Sequence, residues 1–274
     1  MSTGALSDKR IIAVSRDVRF SPNSVDKDMA ILQAVASRLA ADYVVVDENR
    51  LEPDMECDIC LSMARNSATL DILSGMEQRG LVVVNSPDSV RACRRSEIEA
   101  VMSNLGVPLP PRHGEDGYWI KRGDMAAQTS SDVRYCRDRD ELEAARRDFA
   151  TRNIADYTVS AHVVGDLIKW YAVKGGFFRY FYPSDDGRSK FGDESHNGQA
   201  HHYAFDAEAL HEAVDAVARE TGIVAYGGDA IVRADGSFCI IDFNDWPSFS
   251  RCRDEAADAI AAFVMRYYNR KKSI

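Results

Sequence analysis

Gly228-Asp229-Ala230-Ile231-Val232, then Asp235-Gly236, then Ile240-Ile241-Asp242-Phe243-Asn244-Asp245-Trp246-Pro247 is the stretch that decides the fold of this 274-residue chain. Asp235-Gly236 between two apolar runs is a strong hairpin signal, so Asp229–Val232 and Ser237–Phe243 read as paired antiparallel strands. Side chains two apart on a strand share a face, which sets Asp242 and Asn244 together and turns Ile241 and Phe243 the other way. A turn at Asp235-Gly236 also brings Asp229 opposite position 242. Two carboxylates and an amide oxygen are hard donors suited to Mg²⁺ held with phosphate oxygens. Two acids on apolar strands would more often be salt-bridged structural residues. The third oxygen donor, and the loop that stops at Pro247, favour the metal.

Upstream, strands and helices alternate. Arg10–Ser15, Tyr43–Val46, Ile59–Met63 and Leu81–Val84 read as strands. Asp26–Ala41 carries Met29, Leu32, Val35 and Leu39 at helical spacing, and Ala68–Arg79 is a helix ending at Gly80. Short loops between them imply a parallel sheet covered by helices, a Rossmann-like unit over residues 1–86. Ser15-Arg16-Asp17 stands where a G-x-G-x-x-G turn would follow the first strand, so this unit is not expected to hold NAD. Pro87–Leu105 reads as one linking helix ended by Gly106 and Pro108. Beyond it come a strand at Tyr118–Lys121, a charged, solvent-facing helix at Asp140–Thr151, and strands at Tyr157–Val164, Leu167–Val173 and Phe177–Tyr182. Ser184–His202 reads as a mobile loop, and Glu208–Thr221 and Glu255–Tyr268 as amphipathic helices.

Composition bounds the function. Hydrophobic residues make up 45% of the chain and charged ones 28%, enough for a core and two compact units. The net charge of −9 argues against nucleic acid or an anionic membrane as partner. No stretch approaches the ~18 apolar residues of a membrane span. The polar Met1–Asp8 lacks a signal-like apolar run, and a cytoplasmic protein is expected. The six cysteines are expected as reduced thiols, and the Cys57/Cys60 pair as core packing rather than a metal or redox site.

The hairpin resembles the metal-binding end of the ATP-grasp superfamily: glycine-x-Asp, an apolar strand, a turn, then Glu/Asp-x-Asn and a proline. Leu81–Pro87 is similar to that family's strand entering the linking helix. Tyr118-Trp119-Ile120-Lys121 looks like its lysine-bearing strand, and Val159–Lys169 like its hinge. Four matches in order extend the resemblance over most of the chain. It implies a pre-ATP-grasp domain (1–86) followed by a two-lobed α+β ATP-grasp domain (87–274). That domain would comprise a linking helix at 87–106, a nucleotide lobe at about 107–165 and a metal lobe at about 166–274.

The resemblance further implies ATP and Mg²⁺ (or Mn²⁺) as cofactors. The metal would rest on Asp229, Asp242 and Asn244, and Lys121 and Arg95 would meet phosphates. The backbone at Ala161 and Val163 would hold the adenine edge, and Asp166 the ribose. Lys169 would serve the nucleotide or an acyl phosphate, and Arg179 would face the transferred phosphoryl group. Three departures stand out. Arg94-Arg95-Ser96 replaces the usual Asp-Lys, the 122–131 flap has one glycine, and no acid stands at Ser160–Ala161. For the substrate, arginine suits bidentate capture of an anion, and Arg65, Arg179, Lys190, His196, Arg251 and Arg253 are candidates. Arg65 leads them, because it leaves the C-terminal end of a parallel strand. Trp246, Phe249 and Tyr226 are read as walls of the site or as core. The His201-His202 pair is not expected to bind metal.

The activity implied is a carboxylate–amine (or thiol) ligase. A small-molecule kinase and an ATP-binding module without turnover are the alternatives. The partners expected are a small carboxylate and an amine, with a homodimer left open.

Overall fold

The unbroken apolar runs of the first third form one parallel sheet. In the computed structural model, which describes residues 6, 9–40, 42–124, 129–186 and 194–272, the elements in order are β1 (Ile11–Ser15), α1 (Val25–Leu39), β2 (Tyr43–Asp47), β3 (Ile59–Ser62), α2 (Ser67–Gln78) and β4 (Val82–Val84). The strands lie in the order β2-β1-β3-β4, all parallel. Ile11, Ala13, Ile59, Leu61, Val82 and Val84 pack toward α1, whereas Ile12, Val14, Cys60 and Val83 pack toward α2. A sheet covered on both faces needs apolar side chains at consecutive positions, which is why these strands do not alternate.

The linking segment differs from the sequence expectation. It is two helices, α3 (Pro87–Ala92) and α4 (Arg95–Asn104), broken at Cys93-Arg94, where Arg94 is extended at φ −59°, ψ 140°. Ser86 caps α3 through the Ser89 N–H, with Pro87 at its first turn. Gly106, at φ +70°, closes α4 as expected.

A three-stranded antiparallel sheet follows, built from β5 (Tyr118–Arg122), β6 (Val133–Cys136) and β7 (Tyr157–Ala161), with α5 (Arg139–Thr151) between β6 and β7. Strand β6, only four residues of which Arg134 is exposed, was not foreseen. Helix α5 is charged but not merely solvent-facing, because it buries Leu142, Ala145 and Phe149 against Tyr118 and Ile120.

The third sheet is antiparallel, in the order β11-β10-β8-β9. It comprises β8 (Asp166–Val173), β9 (Phe177–Phe181), β10 (Ala225–Val232) and β11 (Phe238–Asp245), with α6 (Glu194–Asn197) and α7 (Ala207–Thr221) between β9 and β10. The runs at 157–164 and 167–173 therefore belong to different sheets, and His162–Gly165 is the hinge between them. A Cβ on Gly165 would strike the Val232 carbonyl, so this crossing requires glycine.

One face of the third sheet is apolar. Trp170, Tyr226, Ala230, Ile240 and Phe243 pack there with Leu210, Val214 and Val217 of α7 and Ile98 and Met102 of α4. Tyr226 is thus core, as are the fully buried Trp246 and Phe249, so none of these aromatics walls the site.

The last helix, α8 (Arg253–Lys272), returns to the first sheet. Its Ala256, Ala257, Ile260, Ala261 and Val264 join Ile31, Val35 and Leu39 of α1 over β1 and β3. The core therefore continues across the boundary at residue 86. Asn85 reinforces that junction from a buried position. Its Nδ2 donates to the Ala225 carbonyl at 2.9 Å, and its Oδ1 accepts the Val224 and Ala225 N–H groups at 3.0 and 2.9 Å.

Candidate active site

The other face of the third sheet carries the charge. Asp229 and Asp242 lie directly opposite in the β10–β11 register. The next pair is Ala230 with Ile240, so Ile241 is an extra, bulged residue. The bulge changes the expected facing. Ile241 turns to pack near Val163, Leu167 and Ile231, while Ile240 and Phe243 lie in the opposite core. The two aspartates keep a common face because the irregularity falls one residue before Asp242.

Cations surround them. Lys169, opposite Asp229 on β8, places Nζ 2.7 Å from Asp229 Oδ1. Arg95, at the start of α4, donates to Asp242 Oδ1 at 3.1 Å and to the Arg122 carbonyl at 3.2 Å. Lys121 donates to the carbonyl of the bulged Ile241 at 2.8 Å, tying the three-stranded sheet to the hairpin. Asn244 Nδ2 donates to Asp242 Oδ2 at 2.9 Å, which leaves its amide oxygen as a donor for a metal. Burial alone would raise the pKa of Asp242, but the Arg95 and Lys121 charges and the Asn244 bond outweigh it and hold the carboxyl well below its ordinary value. Burial would lower that of Lys169, but Asp229 outweighs it and raises it.

These residues fit a divalent ion. The donors are hard oxygens, Asp242 stays anionic, and the surrounding cations supply the balance that an ion with phosphates would take over. Among the described residues no three His, Cys, Asp or Glu side chains converge on one point, so the metal reading rests on two aspartates and an asparagine.

Asp242 lines three adjoining spaces. A hinge cavity of about 110 Å³ is bounded by Lys121, Ala161, Val163, Leu167 and Ile231. A second, of about 300 Å³, lies toward the first sheet and is bounded by Arg19, Arg65, Arg94, Arg95 and Asn244. A wider groove of about 980 Å³ opens from the α4 side onto Arg95 and Lys121. At the hinge, the Ala161 N–H is taken by the Pro111 carbonyl at 2.7 Å and that of His162 by Gly117 at 2.8 Å. Trp119 Nε1 donates to His162 Nδ1 at 3.1 Å. Burial first, then neighbouring His196, keeps the His162 pKa below its ordinary value, as suits a neutral acceptor.

Other sequence candidates fall elsewhere. Both Asp166 oxygens accept backbone N–H groups, from His201 at 2.7 Å and Tyr203 at 2.9 Å, and the side chain is 1% exposed. Asp166 thus anchors the end of a loop and lines none of the three spaces. Arg179 is half exposed at the edge strand, 2.8 Å from Glu255 and over the Phe177 ring, away from all three spaces. Arg251 pairs with Asp186, and His196 packs 4.1 Å, centroid to centroid, from Tyr135. Arg253 likewise lines none of the three spaces. Lys190 and flap residues 125–128 lie outside the described residues, as does the middle of the expected mobile loop. All six cysteines are unpaired, and burial pushes the Cys57 thiol up to about 11.

Arg65 does line the second cavity, but it is not free. It sits 2.6 Å from buried Asp245, which Arg16 also approaches at 3.5 Å. Sequence reading missed Arg16, Arg19 and Asp245. The rule that found Arg65, a charged residue leaving a parallel strand at its C-terminal end, applies equally to Arg16 and Arg19 after β1.

No family model matches this sequence, and no curated protein matches it. Solved structures do. D-alanyl-alanine synthetase A from Vibrio cholerae superposes with a TM-score of 0.66 at 10% identity, covering 97% of this chain and 100% of that one. A RimK domain ATP-grasp protein from Sphaerobacter thermophilus gives 0.63 at 15% identity, over 93% and 99% of the two chains. The ATP-grasp ligase PsnB in complex with a minimal precursor gives 0.58 at 14% identity, over 92% and 98%. The chain has the fold of the ATP-grasp ligases over nearly its whole length.

Proposed function

We propose that this protein is a Mg-ATP-dependent ligase that activates a small carboxylic acid for attack by an amine. The observation that carries the reading is the position of Asp242. It borders a hinge cavity fit for an adenine on one side and an arginine-lined cavity on the other, with Asp229, Asn244, Lys169, Lys121 and Arg95 around it. In this reading Asp229, Asp242 and Asn244 hold Mg²⁺, which would offset charge on the ATP phosphates. Lys121 gives up the Ile241 carbonyl for the α/β phosphates. The Ala161 carbonyl and Val163 N–H take the adenine edge. Lys169, paired with Asp229, would face the phosphoryl oxygens, and Arg95, paired with Asp242, would reach the phosphates. Arg65, held by Asp245, orients the acid. Burial of these cations in a low-dielectric cleft strengthens their action on developing charge.

The test is ADP release measured over a matrix of acids and amines. Release that needs both an acid and an amine supports a ligase. Release with one hydroxyl-bearing substrate and no amine would mean phosphoryl transfer alone and overturn the ligase reading.

A further inference from the structure

The second cavity carries more positive charge than one carboxylate needs. Five arginines line it, against three aspartates, in a chain whose net charge is −9. Four of the five have carboxylate partners. Arg65 pairs with Asp245, Arg95 with Asp242, Arg91 with Asp71 and Asp88, and Arg19 with Asp17. Arg94 has none among the described residues. It is exposed and stands at the break between α3 and α4, where its extended backbone starts the second helix without a side-chain cap bond. An unbroken helix would turn Arg94 and Arg95 about 100° apart around one axis, whereas the break lets both line one cavity. Phe20, Leu70 and Val90 supply apolar wall in the same space. At about 300 Å³ the cavity is at the small end of ligand pockets.

We propose that the acid bound here carries a second anionic group. One carboxylate faces Asn244 and the metal end, a short carbon chain lies along Phe20, Leu70 and Val90, and a second anionic group is captured by Arg94 with Arg19 beside it. The inference rests on the ligase reading for the fate of the first carboxylate, but not for binding. An apolar tail would make no charge-assisted contact with the exposed Arg94 guanidinium. A second carboxylate or a phosphate would meet the fork of the guanidinium in a bidentate pair. Both sources share that chemistry, and the test separates them.

The experiment is calorimetric titration of the whole chain at low salt, without nucleotide or Mg²⁺, using butyrate, glutarate and 3-phosphoglycerate. Glutarate or 3-phosphoglycerate should bind at least about tenfold more tightly than butyrate, as one charge-assisted contact provides. Whichever binds names the second group. Arg94→Gln should bring that ligand to the level of butyrate, and Arg94→Lys should restore part of the difference. Equal binding of all three acids, no binding by any, or a preference untouched by Arg94→Gln would each overturn the proposal. Because ATP is absent, tight binding of glutarate or 3-phosphoglycerate without amine-dependent ADP release would sink the ligase reading and leave this one standing.

Discussion

Asp242→Asn probes the centre of the charged face, because the change removes a charge while nearly preserving shape. In the ligand-free protein it takes a carboxylate from Arg95 at 3.1 Å and from the neighbouring Lys121, at a position only 23% exposed. A hydrogen bond to a charged group contributes about 1.5–3 kcal/mol. At roughly 2–4 °C per kcal/mol for a chain of this size, the melting temperature should fall by about 3–12 °C. The pH dependence follows from the depressed pKa of Asp242. Its stabilisation is fully present above the ordinary carboxylate value of about 3.9 and is lost as pH falls through the lower folded value, so the parent should approach the variant only below about pH 4. Mg-ATP should raise the melting temperature of the parent, by an amount equivalent to about 2.7 kcal/mol at a hundredfold excess over Kd, and that of the variant far less. Differential scanning fluorimetry between pH 3 and 8, with and without Mg-ATP, reads both effects. Equal melting and equal shifts with Mg-ATP would refute the metal assignment and the electrostatic argument together.

Two further outcomes concern residues outside the metal set. Asp245→Asn should cost about 3–5 kcal/mol in urea unfolding, because it leaves Arg16 and Arg65 buried with Asp28 as the remaining ion-pair partner; a loss under 1 kcal/mol would contradict that. Asp166→Ala should speed proteolysis around residues 184–202 by releasing the His201 and Tyr203 N–H groups while leaving ATP affinity unchanged; a tenfold weaker ATP affinity would return Asp166 to the ribose.

What the sequence disclosed depended on range. Asp229 opposite Asp242 was legible because an Asp-Gly turn fixes the register of its own hairpin. The bulge at Ile241 was not, since nothing in a run of isoleucines marks which one is extra. The break at Cys93-Arg94 carries no glycine or proline, and it follows from α3 and α4 packing against different neighbours. Strand β6 gains its identity only from β5 beside it. Asp245 was hidden because both its arginines lie about 180 residues or more away in sequence, one after β1 and one after β3. Asp166 was expected at the ribose from the resemblance, and only the returning loop reveals what its carboxylate holds.

The return of α8 to the first sheet also bears on how the chain is made. During synthesis β1 to β4 leave the ribosome long before residues 253–272, yet one face of their sheet is completed by Ile260, Ala261 and Val264. The emerging amino-terminal unit must therefore wait with apolar surface uncovered until residues 253–272 have been made, an exposure that favours early capture by chaperones. A chain that stops before Arg253 would make that exposure permanent.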